Sequence, residues 1–255
     1  MNLIDPKTVT LLTGVMSGLM AIVLYALKRN YPPSVQGLGR WSLTLTVLFF
    51  GGVLVSARGV LPDLFSISLS NLLLWIGLYL GYTGTQQFFG ITPRMRNWLI
   101  LIALLSVVQL WFNLAQPDYR ARLALTTTMT ALLTGVHAWL VFRQGSFTFA
   151  RVMTICVLAA MATIQLLRLA TVSSLPRGSE FLSSEPIQLI YVATFAFVLL
   201  LFSVSVVLLA TERLHDELQY QATHDSLTQA LTRRRMNEAC AVELERCHRH
   251  GRSMA

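Results

Sequence analysis

At 255 residues, with hydrophobic side chains at 54% and charged ones at only 13%, the chain carries too much apolar surface for a water-soluble globule. Its formal net charge of +8 comes from 20 Lys and Arg against 12 Asp and Glu. The cations sit singly between apolar segments, apart from one run at Arg233 to Arg235, which argues against a nucleic-acid face and fits the loop charges of a membrane protein.

A bilayer-spanning helix needs about 20 mostly apolar residues. Seven stretches approach that length: Thr8 to Leu27, Trp41 to Ala57, Leu69 to Gln87, Asn97 to Ala115, Leu123 to Phe142, Val152 to Thr171 and Ile187 to Ala210. The breaks between them carry Pro32, Pro33, Pro62, Pro93, Pro117, Gly145, Pro176, Gly178 and Pro186, as breaks should. The predicted fold is therefore all-α, a polytopic bundle of seven transmembrane helices. The first stretch is retained as a helix, because Lys28 and Arg29 follow it and a cleaved signal peptide has its cations in front. On the third, Gly77, Gly81 and Gly84 allow a close approach to a neighbouring helix.

Polar residues then recur on single faces. The fourth helix has Ser106, Gln109 and Asn113; the fifth has Arg122, Thr126, Thr130, Thr134 and His137; the sixth has Gln165 and Arg168; the seventh has Gln188, Tyr191 and Thr194. Such residues are costly in a span and face the bundle interior or a wet cavity. Loops after the first, third and fifth helices hold Lys28, Arg29, Arg40, Arg94, Arg96, Arg143 and Arg151 and no acid. The opposite set mixes Asp5, Asp63, Asp118, Glu180 and Glu185 with Lys7, Arg58, Arg120, Arg122 and Arg177. The positive-inside rule puts the basic set in the cytoplasm, the N-terminus outside and the C-terminal tail inside. Trp41, Trp98, Trp139 and Tyr82 then fall where interfacial aromatics are expected.

With that orientation, a pocket open to the periplasmic side is expected from Arg168, Gln165, Asn113, Gln109, Arg122, Thr126, Gln188 and Tyr191. Arg168 would anchor a small polar or anionic ligand. The competing reading is structural: threonines bond their own i−4 carbonyls, Gln and Asn join helices, and Arg168 snorkels. A retinal-type Schiff base is excluded, since the only lysines are Lys7 and Lys28.

From Ile187 to His250 there is neither Gly nor Pro, so the last span is expected to continue as a cytoplasmic stalk over residues 211–223. Leu214, Leu218 and Ala222 form an apolar edge beside Glu212, Arg213, Asp216 and Glu217, read equally well as a short coiled coil between two copies or as an ordinary amphipathic helix. The tail continues Tyr220-Gln-Ala-Thr-His-Asp-Ser-Leu-Thr-Gln-Ala-Leu-Thr-Arg-Arg-Arg. This resembles the opening of a GGDEF domain, the diguanylate cyclase fold, which reads A-x-x-D-x-L-T-G-L-x-N-R-R before a helix. Asp225, Leu227, Thr228, Arg233 and Arg234 match in register, whereas Gln229 replaces the glycine and Thr232 the asparagine.

The resemblance implies that residues 224–255 begin an α/β domain whose parent enzyme is a nucleotidyltransferase, joining two GTP molecules into cyclic-di-GMP with Mg²⁺. The family's metal-binding and guanine-contacting residues lie farther along such a domain. This stretch therefore holds no catalytic residue and no cofactor of its own, and is expected to be inactive alone. The functional expectation is a bacterial inner-membrane sensor over residues 1–210, acting as a homodimer in the lipid bilayer on a cytoplasmic cyclase, without a nucleic-acid partner. A histidine-kinase sensor, with His215 or His224 beside an acid, and a degenerate GGDEF or combined GGDEF-EAL protein are the alternatives.

Overall fold

The computed structural model describes residues 6–93, 96–172, 186–225, 228 and 230–251, with 186 and 187 as backbone only. Asp5, Arg94, Arg177, Glu180, Glu185, Leu227 and Gln229, all used above, lie outside the described residues, as do the breaks at Pro176 and Gly178. The described chain is all-helical: α1 Pro6–Asn30, α2 Leu38–Ser56, a π-helical turn Leu64–Leu69 running into α3 Ser70–Phe88, α4 Arg96–Leu114, α5 Tyr119–Phe142, α6 Phe149–Ala170, α7 Pro186–Thr223 and α8 Arg233–His250. Helices close every backbone hydrogen bond within one segment, the cheapest arrangement where no water is present. The first seven are long and apolar enough to cross a membrane. Two compact units divide the chain, residues 1–210 and 211–255, and α7 contributes to both.

Within the first unit α1 packs on α2, α2 on α3, α5 on α6 and α3 on α5. Glycines set the α2–α3 approach. A Cβ on Gly84 would come within 2.8 Å of the Trp41 ring, and one on Gly77 within 2.8 Å of Leu48. Gly37, just before α2, has φ +91°, and its Cβ would fall 2.5 Å from the Gly84 carbonyl, so only glycine suits the position. Trp75, Tyr79, Ile102, Met129 and Leu133 form a buried core among α3, α4 and α5. Leu12, Leu19 and Ile22 on α1 stay exposed, an apolar face for which hydrocarbon is the natural solvent.

Two details depart from the sequence reading. The third span begins at Leu64, because Pro62 starts a helical turn that continues straight into α3; the serines at 66, 68 and 70 disguise it in a hydropathy window. Trp41 is fully buried instead of interfacial: its Nε1–H donates to Thr85 Oγ1 at 3.1 Å. Trp139, by contrast, is 58% exposed, as an aromatic at the bundle surface should be.

Within the second unit, the tail after Thr223 forms a tight turn. Asp225 Oδ1 accepts from the Thr228 backbone N–H at 2.9 Å and its hydroxyl at 3.0 Å. Asp225 N–H donates to the Ala230 carbonyl and Thr232 N–H to the Thr223 carbonyl, each at 2.8 Å. Helix α8 follows, ending on Gly251 at φ 60°, a left-handed C-terminal stop.

Candidate functional site

The starts of α1, α3, α5 and α7 come together with the ends of α2 and α6. At that end the bundle encloses a cavity of about 180 Å³. Its polar wall holds Arg58 after α2, Asn71 on α3, Tyr119, Arg122 and Thr126 on α5, Gln165 and Arg168 on α6, and Tyr191 on α7. Thr10, Thr13 and Ser17 add hydroxyls from α1, and the deeper wall is apolar, with Leu48, Leu74, Met161, Val198 and Leu199. Among the described lining residues there is no Asp and no Glu.

Several of these side chains are positioned by identifiable bonds. Helix α5 starts sharply because the Asp118 carboxylate caps the N–H groups of Arg120 at 2.8 Å and Ala121 at 3.2 Å. That fixes Tyr119 and Arg122 at the mouth of the cavity. Arg122 Nη1 donates to Asn113 Oδ1 on α4. Asn113 Nδ2 in turn donates to Ser68 Oγ at 3.0 Å and to the Asp63 carbonyl at 3.2 Å, tying the π-helical turn to α4 and α5. Arg122 Nε is buried and has no partner among the described residues. Arg168, 9% exposed, donates from Nη2 to Gln188 Oε1 at 2.7 Å and lies over the Tyr191 ring at 5.1 Å. Gln188, 2% exposed, donates from Nε2 to Tyr119 Oη at 3.3 Å. One amide thus links α6, α7 and α5.

Of the eight residues expected to form the pocket, Arg168, Gln165, Arg122, Thr126 and Tyr191 line this cavity. Asn113 and Gln188 stand behind it, holding the two arginines. Gln109 is away from it, 2% exposed, with Nε2 unpartnered among the described residues. The hydroxyl of Thr126 donates to the Arg122 carbonyl at 2.8 Å, and Thr134 and Ser106 bond the residues four before them in the same way, so these hydroxyls are largely absorbed by their own helices. Tyr119, Arg58 and Asn71 were not anticipated. Tyr119 follows a capping Asp and Arg58 sits two residues past a helix end, positions where side chains usually face water, so composition alone does not single them out.

The other end of the bundle has a second polar cluster, packed around Thr85. Thr85 Oγ1, fully buried, receives the Trp41 indole N–H, lies 2.7 Å from His137 Nε2 and reaches the Gly81 carbonyl at 3.2 Å. With the hydroxyl hydrogen on that carbonyl, His137 Nε2 is the donor to Thr85. The His137 ring also meets Tyr82 and Phe202 edge-on, at 5.9 and 5.7 Å. This is a packed, bonded histidine joining α2, α3, α5 and α7.

In the tail, Asp225 and Thr228 bond each other as described, Arg234 pairs with Glu238 at 3.0 Å while 91% exposed, and Arg233 is exposed. Leu227 lies outside the described residues. Among the described residues no three His, Cys, Asp or Glu side chains converge as a metal site. Compared with family models, curated proteins and solved structures, the chain matches none.

Proposed function

We propose that the chain is the sensing and dimerising membrane module of a cytoplasmic diguanylate cyclase, with its N-terminus outside, its tail inside the bacterial inner membrane, and the cavity as the sensing site. The observation that carries the reading is that α7 has two roles along one unbroken helix. Tyr191, Val192, Phe195, Val198 and Leu199 form a wall of the cavity. The same helix runs on to Thr223, immediately before the Asp225 turn that resembles the start of a GGDEF domain. A ligand that repacks this wall acts directly on the element leading to the head, with no relay needed.

Two cyclase heads, each holding one GTP, must meet to form cyclic-di-GMP, so a helix that sets the pairing of two copies governs output without touching substrate. Leu214 is half-buried and Leu218 is 54% exposed in the single chain, an apolar edge suited to a second copy. The Asp225 carboxylate is engaged by its own turn, and the Mg²⁺ and GTP of such chemistry would be held by other residues of the family's domain.

The test joins residues 1–223 in register to an active cyclase head in cells lacking other cyclases. Cyclic-di-GMP levels that change with cavity substitutions are expected. Topology gives the sharper refutation. In a C156A background an impermeant maleimide should reach Cys240 and Cys247 only after the membrane is opened, and D63C in intact cells. Labelling of the tail and of position 63 from the same side overturns the reading. Phosphate transferred from ATP to His215 or His224 in the full protein would replace the cyclase by a histidine kinase.

A further inference from the structure

The chemistry of the cavity wall narrows what the site binds. Resting on the sensing reading above, we infer that the cavity receives a small amphiphilic organic anion, a carboxylate on an aromatic or short acyl body.

The charge comes first. Arg58, Arg122 and Arg168 converge at one end of the cavity, and no described lining residue is acidic. Arg122 has only the neutral Asn113 amide on Nη1, and its Nε is buried without a partner among the described residues. Arg122 nevertheless lines the cavity, and a carboxylate is the planar acceptor whose charge and shape suit a guanidinium. The Tyr119 hydroxyl, which accepts from Gln188 Nε2 and belongs to another lining residue, has its own hydrogen to donate.

The body follows from depth and wall. Arg168 lies seven residues from Met161 along α6, and Tyr191 lies eight from Leu199 along α7. At the rise of a helix these separations give a floor about 10–12 Å below the cations. The floor is Leu48, Met161, Val198 and Leu199, which offers a water-exposed acyl or ring body a more favourable environment. A cavity of about 150 Å³ accommodates benzene, so one of about 180 Å³ suits a single ring or a short chain, not a membrane lipid.

The full chain in nanodiscs of zwitterionic lipid is titrated with benzoate, octanoate, octanamide, octylammonium, oleate and inorganic phosphate, with heat of binding and thermal shift as readouts. Benzoate or octanoate should bind at least about tenfold more tightly than octanamide, the worth of one charge-assisted hydrogen bond. R122Q should weaken the acid by a similar factor, R122K should recover part of it, and M161W, which fills the floor, should abolish binding. Equal affinity for acid and amide, or tight octylammonium, overturns the anion. Oleate above octanoate overturns the small body in favour of a bilayer lipid, and phosphate alone overturns the apolar part. Unchanged octanoate binding by M161W in a folded protein overturns the location, and no binding by any of the panel overturns the class. Cyclase output is not read in this experiment, so its failure leaves the signalling assignment standing, and failure of the chimera leaves the binding result standing.

Discussion

Gln188 separates the architecture of the cavity from its charge, because its amide touches both. It accepts from Arg168 at 2.7 Å and donates to Tyr119 at 3.3 Å. Gln188→Leu removes both interhelical bonds at constant bulk. Such bonds in membrane bundles are worth about 0.6 kcal/mol each and up to about 1.7, and one of these has a charged donor, so a loss of about 1–3 kcal/mol is expected. Gln188→Glu keeps the acceptor for Arg168, and Tyr119 turns its hydroxyl to donate instead. The bundle should then be as stable as the parent or more so. The new carboxylate, however, neutralises the cation that an anionic ligand needs. At about 8 Å from the ligand's headgroup and an effective dielectric of about 20, the repulsion is about 2 kcal/mol, or about thirtyfold in affinity. Unfolding by rising SDS fraction in mixed micelles, followed by circular dichroism, gives the stability; octanoate titration gives the affinity. If Gln188→Glu is as destabilising as Gln188→Leu, or binds octanoate as the parent does, the assignment of roles at this amide is wrong.

Two further predictions concern sites away from the cavity. Thr85→Val keeps shape but leaves the Trp41 N–H and His137 Nε2 without their shared partner, for an expected cost of about 1–3 kcal/mol. Thr85→Ser keeps the hydroxyl and loses one methyl, about 1 kcal/mol, so a serine variant less stable than the valine variant in the same SDS titration refutes the hub. In α8, Arg234 and Arg235 hold the Glu238 carboxyl below its ordinary value of 4.5. A depressed carboxyl stabilises its helix above the unfolded value and ceases to as pH falls through the folded one. The ¹³C shift of Glu238 should accordingly titrate below pH 4.5 in the parent and move upward in R234A; an unchanged midpoint excludes the pair.

The seven spans were legible because hydropathy over about 20 residues is a property of composition, and their ends moved by only a few residues wherever Pro or Gly marked them. The π-helical turn was not, since Ser66, Ser68 and Ser70 lower the window average, while the hydroxyls of Ser66 and Ser70 bond backbone carbonyls three or four residues back and Ser68 Oγ accepts from Asn113. Arg122, Thr126, Gln165, Arg168 and Tyr191 were anticipated as wall residues from single-helix faces, but Asn113 and Gln188 stand one layer back. Facial periodicity says that a side chain points inward; it does not say whether the space there is open or already occupied by another helix. Trp41 was misread for the same reason. Its place near a helix end suggests an interface, and only the glycine at 84, on a different helix, makes room for its ring inside.

A bundle that has removed side-chain volume from one end gives up packing energy there. At about 24 cal/mol per Å³, closing 180 Å³ would be worth up to about 4 kcal/mol, a large part of the 5–15 kcal/mol that holds a typical domain together. Yet the walls are ordinary core residues: Met161 is only 6% exposed and Leu123 likewise 6%. One larger side chain at either position would have filled part of the space. Met161→Trp should therefore raise the unfolding midpoint while abolishing octanoate binding, and Met161→Ala should lower it. If Met161→Trp destabilises the fold, the floor is already close-packed and overpacking dominates. Opposite signs for stability and binding in one substitution are what separate a space held open for a ligand from an accident of packing, because imperfect packing alone predicts a gain in stability and no change in affinity for any anion.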